Sequence, residues 1–126
     1  MNRQEVGKLG EKVAQKFLKK QGYHIREVSF RCPHGEIDII AQKKDYLVFV
    51  EVRTKSNLNF GTPEESLTKS KKKNLIASAL TYANTHQNLP SLWRIDVIAI
   101  ELNDKGQAKR IELIENAIEQ DFPFTR

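Results

Sequence analysis

Cysteine is almost absent from this sequence, because Cys32 is the single thiol in 126 residues. One thiol cannot form an internal disulfide, so the disulfide frameworks of small secreted domains are excluded. A zinc site is disfavoured as well, because neither Cys32 nor the nearby His34 has partners at a ligand-like spacing. We expect Cys32 to be an ordinary buried or loop thiol in a reducing compartment.

Long apolar runs are also missing. The longest ones, such as residues 47–50, are far too short to span a bilayer. Nothing in the sequence has the positive, apolar, small-residue order of a signal peptide. These absences predict a cytoplasmic protein with no membrane partner.

Positive charge is in excess. Lys and Arg number 21 against 16 Asp and Glu, which gives a net charge of +5 and a pI of about 9.4. Such a balance in a domain of this size is typical of nucleic-acid binding. The alternative is a lysine-rich surface that only keeps the protein in solution, and net charge alone does not separate the two.

Helical and strand-like patterns alternate along the chain and predict a single domain over residues 1–126. One amphipathic helix ends at Gly22, and a second runs over residues 70–86, with Thr68 or Ser70 able to cap its start. Strand-like runs occupy residues 24–31, 36–41, 46–53, 92–102 and 108–114, the polar segment 57–68 is a predicted loop, and a short polar tail starts at about residue 117.

The order of these elements is helix, three strands, helix, two strands. Short turns between the first three strands indicate an antiparallel meander. The helix between the third and fourth strands permits a parallel crossover. We therefore predict an α/β fold with a central mixed sheet flanked by two helices.

Two acids interrupt the apolar strands. Asp38 and Glu51 lie among branched apolar residues, although charges are depleted from central strands. If the meander pairs as predicted, the two acids can lie close together, where like charges oppose folding unless a cation joins them. Because Mg²⁺ takes oxygen ligands and uses one or two carboxylates, the pair predicts a site for Mg²⁺ or Mn²⁺. The alternative is a structural salt bridge of either acid with Arg53 or Arg94.

Charged residues around the acids would complete such a site. Glu11 falls at the edge of the apolar arc of the first helix, so it is half buried or points into a cleft. Arg53 and Lys55 share one face of the third strand with the acid before them. Lys71 lies near the start of the second helix, where it either binds phosphate or covers core with its stem. Lys72 belongs to a lysine face that attracts a nucleic-acid backbone without sequence preference.

The motifs GEIDII at residues 35–40 and VFVEVR at residues 48–53 carry a family resemblance. The accompanying residues are Gly10, Glu11, Phe60, Gly61, Lys71 and the RIDV motif at residues 94–97. Over roughly residues 7–116 the chain resembles the YraN-like family of uncharacterised bacterial proteins. That family is similar to archaeal Holliday-junction resolvases and to PD-(D/E)xK nucleases. The resemblance implies a restriction-endonuclease-like fold and metal-dependent hydrolysis of phosphodiester bonds in DNA, including branched DNA.

The resemblance also implies roles for individual residues. Asp38 and Glu51 would bind the metal, with the backbone carbonyl of Val52 as a further ligand, and Glu11 would approach the site. The catalytic lysine of the pattern would follow Val52, but Arg53 stands there. Because arginine does not give up its proton near neutral pH, Arg53 could clamp a phosphate but could not act as a general base.

Two functional hypotheses follow. An endonuclease explains the three acids, Glu11, Asp38 and Glu51. A protein that only binds nucleic acid would bind more tightly without them, because their negative charge repels phosphate. A non-catalytic nucleic-acid-binding module that keeps the nuclease fold is favoured by Arg53. A small basic RNA-binding protein explains the charge but not the acids. Symmetrical cutting of two strands needs two sites, so a homodimer is a further expectation.

Overall fold

The computed structural model describes residues 1–118, which contain two α-helices and five strands. The helices are α1 (Arg3–Lys20) and α2 (Lys69–Thr85), and a single 3-10 turn forms η1 (Glu64–Ser66). The strands are β1 (His24–Cys32), β2 (Gly35–Lys43), β3 (Tyr46–Lys55), β4 (Leu92–Leu102) and β5 (Ala108–Ile114). This order confirms the predicted α/β, restriction-endonuclease-like architecture.

The five strands form one sheet, in which the order in space is the order along the chain. β1, β2 and β3 are the antiparallel meander that the short turns predict. β3 and β4 are parallel because α2 carries the chain back across the sheet, and β5 returns antiparallel to β4. The central strand β3 is buried over residues 47–51, which explains its apolar run and makes the acid within it unusual.

Each face of the sheet is covered by one helix, so the core has two layers. On the α1 face, the cluster includes Val6, Ala14, Leu18, Ile39, Val50 and Ile98. On the α2 face, it includes Ile37, Phe49, Leu75, Tyr82, Trp93 and Ile95. Trp93 is thus a core residue. No helix within residues 1–118 is both long and apolar enough to cross a membrane.

Both helices begin at side-chain caps. Asn2 accepts a hydrogen bond from the backbone N–H of Glu5, and Glu5 accepts one from the N–H of Asn2, so α1 starts earlier than its apolar pattern suggests. Thr68 accepts from the N–H of Lys71 and caps α2, which confirms one of the two predicted caps.

α1 makes its closest approach to β3 at Gly10. A side chain at this buried position would overlap the hydroxyl of Thr54, so only glycine lets the helix lie this close to the strand. At Gly7, one turn earlier, nothing lies within 4 Å of the corresponding Cβ position. The close approach carries the following residue, Glu11, to the end of the sheet.

The tail predicted from about residue 117 begins with two residues that pack on the sheet. The N–H of Ala117 donates to the carbonyl of Ile95 over 2.9 Å, and Ile118 is buried in the core. The rest of that prediction falls on residues 119–126, which lie outside the described residues.

Candidate active site

A cleft of about 810 Å³ opens at the end of β3, between the N-terminal halves of the two helices. α1, β2, β3, the loop after β3, η1 and α2 all contribute to its wall. The residues in question include Glu11, Glu36, Asp38, Glu51, Val52, Arg53, Lys55, Phe60, Ser66 and Lys71. The fold therefore brings together every site residue assigned from the sequence except Lys72, which does not line this cleft.

Asp38 and Glu51 meet on neighbouring strands. Ile39 of β2 pairs with Val50 of β3, so one further antiparallel step brings Asp38 opposite Glu51. At this step the regular ladder ends, and Oδ2 of Asp38 accepts a 2.8 Å hydrogen bond from the backbone N–H of Val52. Asp38 therefore holds β3 with one of its carboxylate oxygens and remains beside the second acid.

Glu51 is the unusual group of the cleft, because it is a glutamate with only 2% of its surface exposed. Its Oε2 accepts a 3.2 Å hydrogen bond from Nη1 of Arg53 and lies 4.0 Å from Nζ of Lys71. Its Oε1 is buried and faces no hydrogen-bond donor among the residues that the structure describes. A proton or a cation at this carboxylate would relieve the cost of its burial.

The pKa of Glu51 reflects this setting. The pKa of Glu51 is raised from 4.5 to about 8, chiefly by burial, and also by the charge of Asp38 and by a carboxyl–carboxyl contact that needs a shared proton. Lys71 and Arg53 act in the opposite direction but do not cancel the effect. In the absence of a metal ion, the pair therefore holds a proton at neutral pH.

The salt bridge that the sequence leaves as an alternative is present between Arg53 and Glu51, at 3.2 Å. It occupies only one oxygen of Glu51. Arg94, the other candidate partner, lies outside the cleft and pairs with buried Asp96 at 3.0 Å. A salt bridge alone therefore does not explain why a second carboxylate, that of Asp38, adjoins the buried one.

Arg53 is held by η1. Its Nε donates to Oγ of Ser66 over 3.0 Å, and its Nη2 lies 3.5 Å from the Ser66 carbonyl. η1 is itself tied to β5, because Nη2 of Arg110 donates to Oε1 of Glu64 over 2.6 Å. The sequence contains no signal for Ser66 or Arg110, because these partners are 13 and 46 residues apart in the chain.

The two lysines of the cleft have different surroundings. Nζ of Lys55 donates to the carbonyls of Phe60 and Gly61, at 3.2 and 3.3 Å, so it anchors the loop that follows β3. Lys71 lies in the first turn of α2, with 39% of its side chain exposed and its ammonium near Glu51. Lys71 is therefore the better placed of the two to receive a phosphate.

Glu11 enters the cleft from α1. Burial raises its pKa, and the charges of Asp38 and Glu36 raise it further. Glu36 lies at the start of β2 and forms a 3.7 Å ion pair with Arg31. Together with Asp38 and Glu51, these side chains concentrate carboxyl groups in the cleft, where a cation would be stabilised.

The donor set suits a small hard cation. No group of three or more His, Cys, Asp and Glu residues within residues 1–118 is arranged to enclose a metal ion. Mg²⁺ requires fewer protein ligands than such a group provides, because it commonly takes one or two carboxylates and keeps several waters. Asp38, Glu51 and the carbonyl of Val52 would form that smaller set. The donor-free oxygen of buried Glu51 is the feature that fits a cation here.

Comparison with other proteins identifies a sequence family. A sequence model described as "Uncharacterised protein family UPF0102" matches residues 10–100. A UPF0102 protein of Dehalococcoides mccartyi is 45% identical over 120 residues, which cover 95% of this chain and 98% of the relative. A UPF0102 protein of Caldicellulosiruptor saccharolyticus is 41% identical over 117 residues, covering 93% and 99%. The matches confirm the resemblance carried by the motifs, and the matched residues include the carboxylate pair, Arg53 and Lys71.

Proposed function

The chain belongs to the protein family UPF0102, and we propose that it is a divalent-metal-dependent nuclease that hydrolyses phosphodiester bonds of DNA. One observation carries the proposal: the buried carboxylate of Glu51 adjoins Asp38, with one oxygen that faces no donor and another that faces two cationic side chains. Two adjacent carboxylates, one of them buried, destabilise a protein core, whereas a metal ion can take both of them as ligands.

Asp38, Glu51 and the backbone carbonyl of Val52 would hold the ion. A divalent ion bound there would polarise a phosphoryl oxygen and make water a stronger nucleophile. Asp38 is already oriented by its hydrogen bond from the N–H of Val52. The ligands are therefore fixed by the β2–β3 pairing rather than by a flexible loop, which favours a defined geometry.

Phosphate binding would fall to Arg53 and Lys71. Both side chains converge on Oε2 of Glu51, so their charges lie next to the proposed metal ligands. The guanidinium offers planar donors to phosphate oxygens, and the ammonium adds to the positive N-terminus of α2. Because Arg53 keeps its proton, its role would be to bind and to stabilise transition-state charge rather than to deprotonate water.

Glu11 is the candidate proton acceptor. Its raised pKa makes it a stronger base than an exposed glutamate. It would take the proton of the attacking water as the water oxygen bonds to phosphorus and the bond to the leaving oxygen breaks, and the leaving oxygen would take up a proton from solvent. It approaches from α1, whereas Lys71 approaches from α2, so base and phosphate clamp would act from different sides of the cleft.

The second candidate function is a nucleic-acid-binding module without turnover. Its supporting observation is that the guanidinium of Arg53 is engaged by Ser66 and Glu51 at the position where the nuclease pattern has a lysine. In that case the cleft would bind phosphate, and the acids would remain as a structural remnant.

Cleavage of labelled DNA decides between the two. Single-stranded, duplex and four-way-junction DNA, with RNA of matched sequence, are incubated with Mg²⁺ or Mn²⁺ and with EDTA. The variants are Asp38→Asn and Glu51→Gln, which keep side-chain shape and remove charge. Asp104→Asn, on an exposed turn outside the cleft, is the matched control.

Metal-dependent cleavage that both site variants lose and the control keeps would establish the nuclease. Binding by the wild type without cleavage of any substrate would support the binding module instead. Cleavage that persists in both site variants would come from a contaminant and would remove the support for this site.

A further inference from the structure

Phe60 is a highly exposed aromatic residue in the wall of the cleft. Its surface is 91% exposed, the largest exposed fraction among the large apolar side chains that the structure describes. Other aromatic residues, such as Tyr82 and Trp93, are buried in the core. Its neighbours in the cleft wall, Lys55 and Asn57, are charged or polar. The exposed ring is therefore suited to a ligand with a flat apolar face.

The loop that carries Phe60 is anchored from beneath. Nζ of Lys55 donates to the carbonyls of Phe60 and Gly61, and the N–H of Gly61 donates to the carbonyl of Leu58 over 3.2 Å. Gly61 has a φ of 97°, which favours glycine and turns the chain sharply after the aromatic residue. Oε1 of Glu65 accepts a 2.8 Å hydrogen bond from the N–H of Thr62, which fixes the backbone directly after Gly61. The backbone is thus bonded inward while the ring is directed outward.

The Phe60 loop is bonded to β3 a short way along the strand from the acids. Lys55 follows Glu51 by four residues on β3, which corresponds to about 13 Å of strand. A strand whose phosphate lies at Arg53 and Lys71 would therefore bring a base within reach of Phe60.

We propose that Phe60 stacks on an unpaired base, and that the cleft selects nucleic acid with a single-stranded segment beside the phosphate held by Arg53 and Lys71. This inference rests on the proposed function. An aromatic ring flanked by cations is a common platform for single strands, because every base has a face that can stack. In a continuous duplex the bases already stack on each other, so the ring would meet only the backbone.

A second copy of the chain is the competing occupant. On this loop, Leu58 is the other exposed large apolar residue, at 44%. A stable protein interface buries about 800 Å² per partner around an apolar centre. Phe60 and Leu58 by themselves provide little of that area, which favours a base over a protein surface.

The experiment measures binding at about pH 7 in EDTA, so that cleavage does not interfere. The probes are deoxyoligonucleotides with 2-aminopurine at successive positions, used as single strands and as duplexes of the same sequence. Stacking on an aromatic ring quenches 2-aminopurine fluorescence. The variants are Phe60→Ala and Phe60→Trp, and Leu58→Ala is the matched control on the same loop.

We expect the wild type to bind the single strand more tightly and to quench the probe at one or two positions. Phe60→Ala should lose roughly tenfold in single-strand affinity together with the quenching, and keep its duplex affinity. Phe60→Trp and Leu58→Ala should keep both properties. The proposal would be overturned if Phe60→Ala bound the single strand as tightly as the wild type, or if it lost equal affinity for the single strand and the duplex. It would also be overturned if sedimentation of the protein alone showed a dimer in the wild type and a monomer in Phe60→Ala.

The result is separable from the cleavage assay. Quenching that depends on Phe60 in a protein that never cleaves would support this inference and contradict the nuclease. Cleavage that depends on Asp38 and Glu51, with no effect of Phe60→Ala on single-strand binding, would contradict this inference and leave the nuclease intact.

Discussion

The carboxylate of Asp38 accepts a hydrogen bond from the backbone N–H of Val52, so a side chain on β2 takes the place of a backbone acceptor at the end of the β2–β3 ladder. The bond prevents Asp38 from turning away from the acid that precedes Val52. Two carboxylates are thereby held together, one of them buried, and their repulsion is relieved only by a proton or a cation.

The charge of Glu51 should destabilise the metal-free protein at alkaline pH. Its pKa is raised from 4.5 to about 8, so the folded state binds this proton more tightly than the unfolded chain. The resulting stabilisation is complete below about pH 4.5 and is lost as the pH rises to about 8. Glu51→Gln should therefore raise the free energy of unfolding by on the order of 1–3 kcal/mol at about pH 8, and less at about pH 5.

Urea unfolding in EDTA at both pH values tests this, with Asp104→Asn as a variant that changes an exposed acid. The control should follow the wild type at each pH. A Glu51→Gln protein that is less stable than wild type at the higher pH would show that the ion pair with Arg53 outweighs the burial of the carboxylate.

Mg²⁺ should raise the midpoint of thermal unfolding, and by more at about pH 8 than at about pH 6. The reason is that the ion must displace the proton that Glu51 holds, and this becomes easier as the pH rises. Scanning fluorimetry with Mg²⁺, Mn²⁺ and Na⁺ at equal ionic strength measures the shift. Asp38→Asn and Glu51→Gln should lose it, and a shift of the same size in both variants would locate the ions elsewhere.

The two glycines of α1 should respond in opposite directions to the same substitution. Gly10→Ala forces a methyl group against the hydroxyl of Thr54 and should cost about 1–3 kcal/mol despite the gain in helix propensity. Gly7→Ala meets no atom within 4 Å and should stabilise by about 0.5–1 kcal/mol. Denaturant titrations of both variants make the comparison. If both changes stabilise the protein, the close packing of α1 on β3 is not required.

Arg53 should be more effective than a lysine at the same position. Arg53→Lys keeps the charge but loses the fork that joins Ser66 and Glu51, so we expect kcat/KM for cleavage to fall roughly tenfold. Ser66→Ala should give a smaller loss, because it removes only one of the bonds that orient the guanidinium. Steady-state cleavage over a range of pH provides the measurement. Higher activity in Arg53→Lys would mean that this position needs a group able to release its proton.

Much of the fold was predictable because its signals are local. The 3.6-residue and 2-residue periods give the helices and strands, and the order of elements implies the crossover between β3 and β4. The start of α1 has no apolar signal, because the capping pair Asn2 and Glu5 extends the helix beyond its first apolar residue, Val6. The burial of Ile118 has no periodic signal either, because it depends on a segment that packs after β5.

The positions of the acids in the candidate site could be predicted from the sequence, whereas the separate roles of the basic residues could not. Asp38 and Glu51 are visible because each is a charge within an apolar strand, and their meeting follows from an antiparallel pairing. The roles of the basic residues diverge in space although they resemble each other in sequence. Lys55 anchors a loop, Lys71 faces the buried acid and Lys72 does not line the cleft.

The elements, their order and the two acids within the central strands can all be read from the sequence, because these properties depend on residues that are neighbours in the chain. Three other features become visible only in the folded chain: Ser66 holds Arg53, Arg110 holds η1, and Gly10 brings α1 onto Thr54. The same holds for the outward ring of Phe60. These contacts join residues that are distant in sequence, and their geometry exists only once both helices have packed on the sheet.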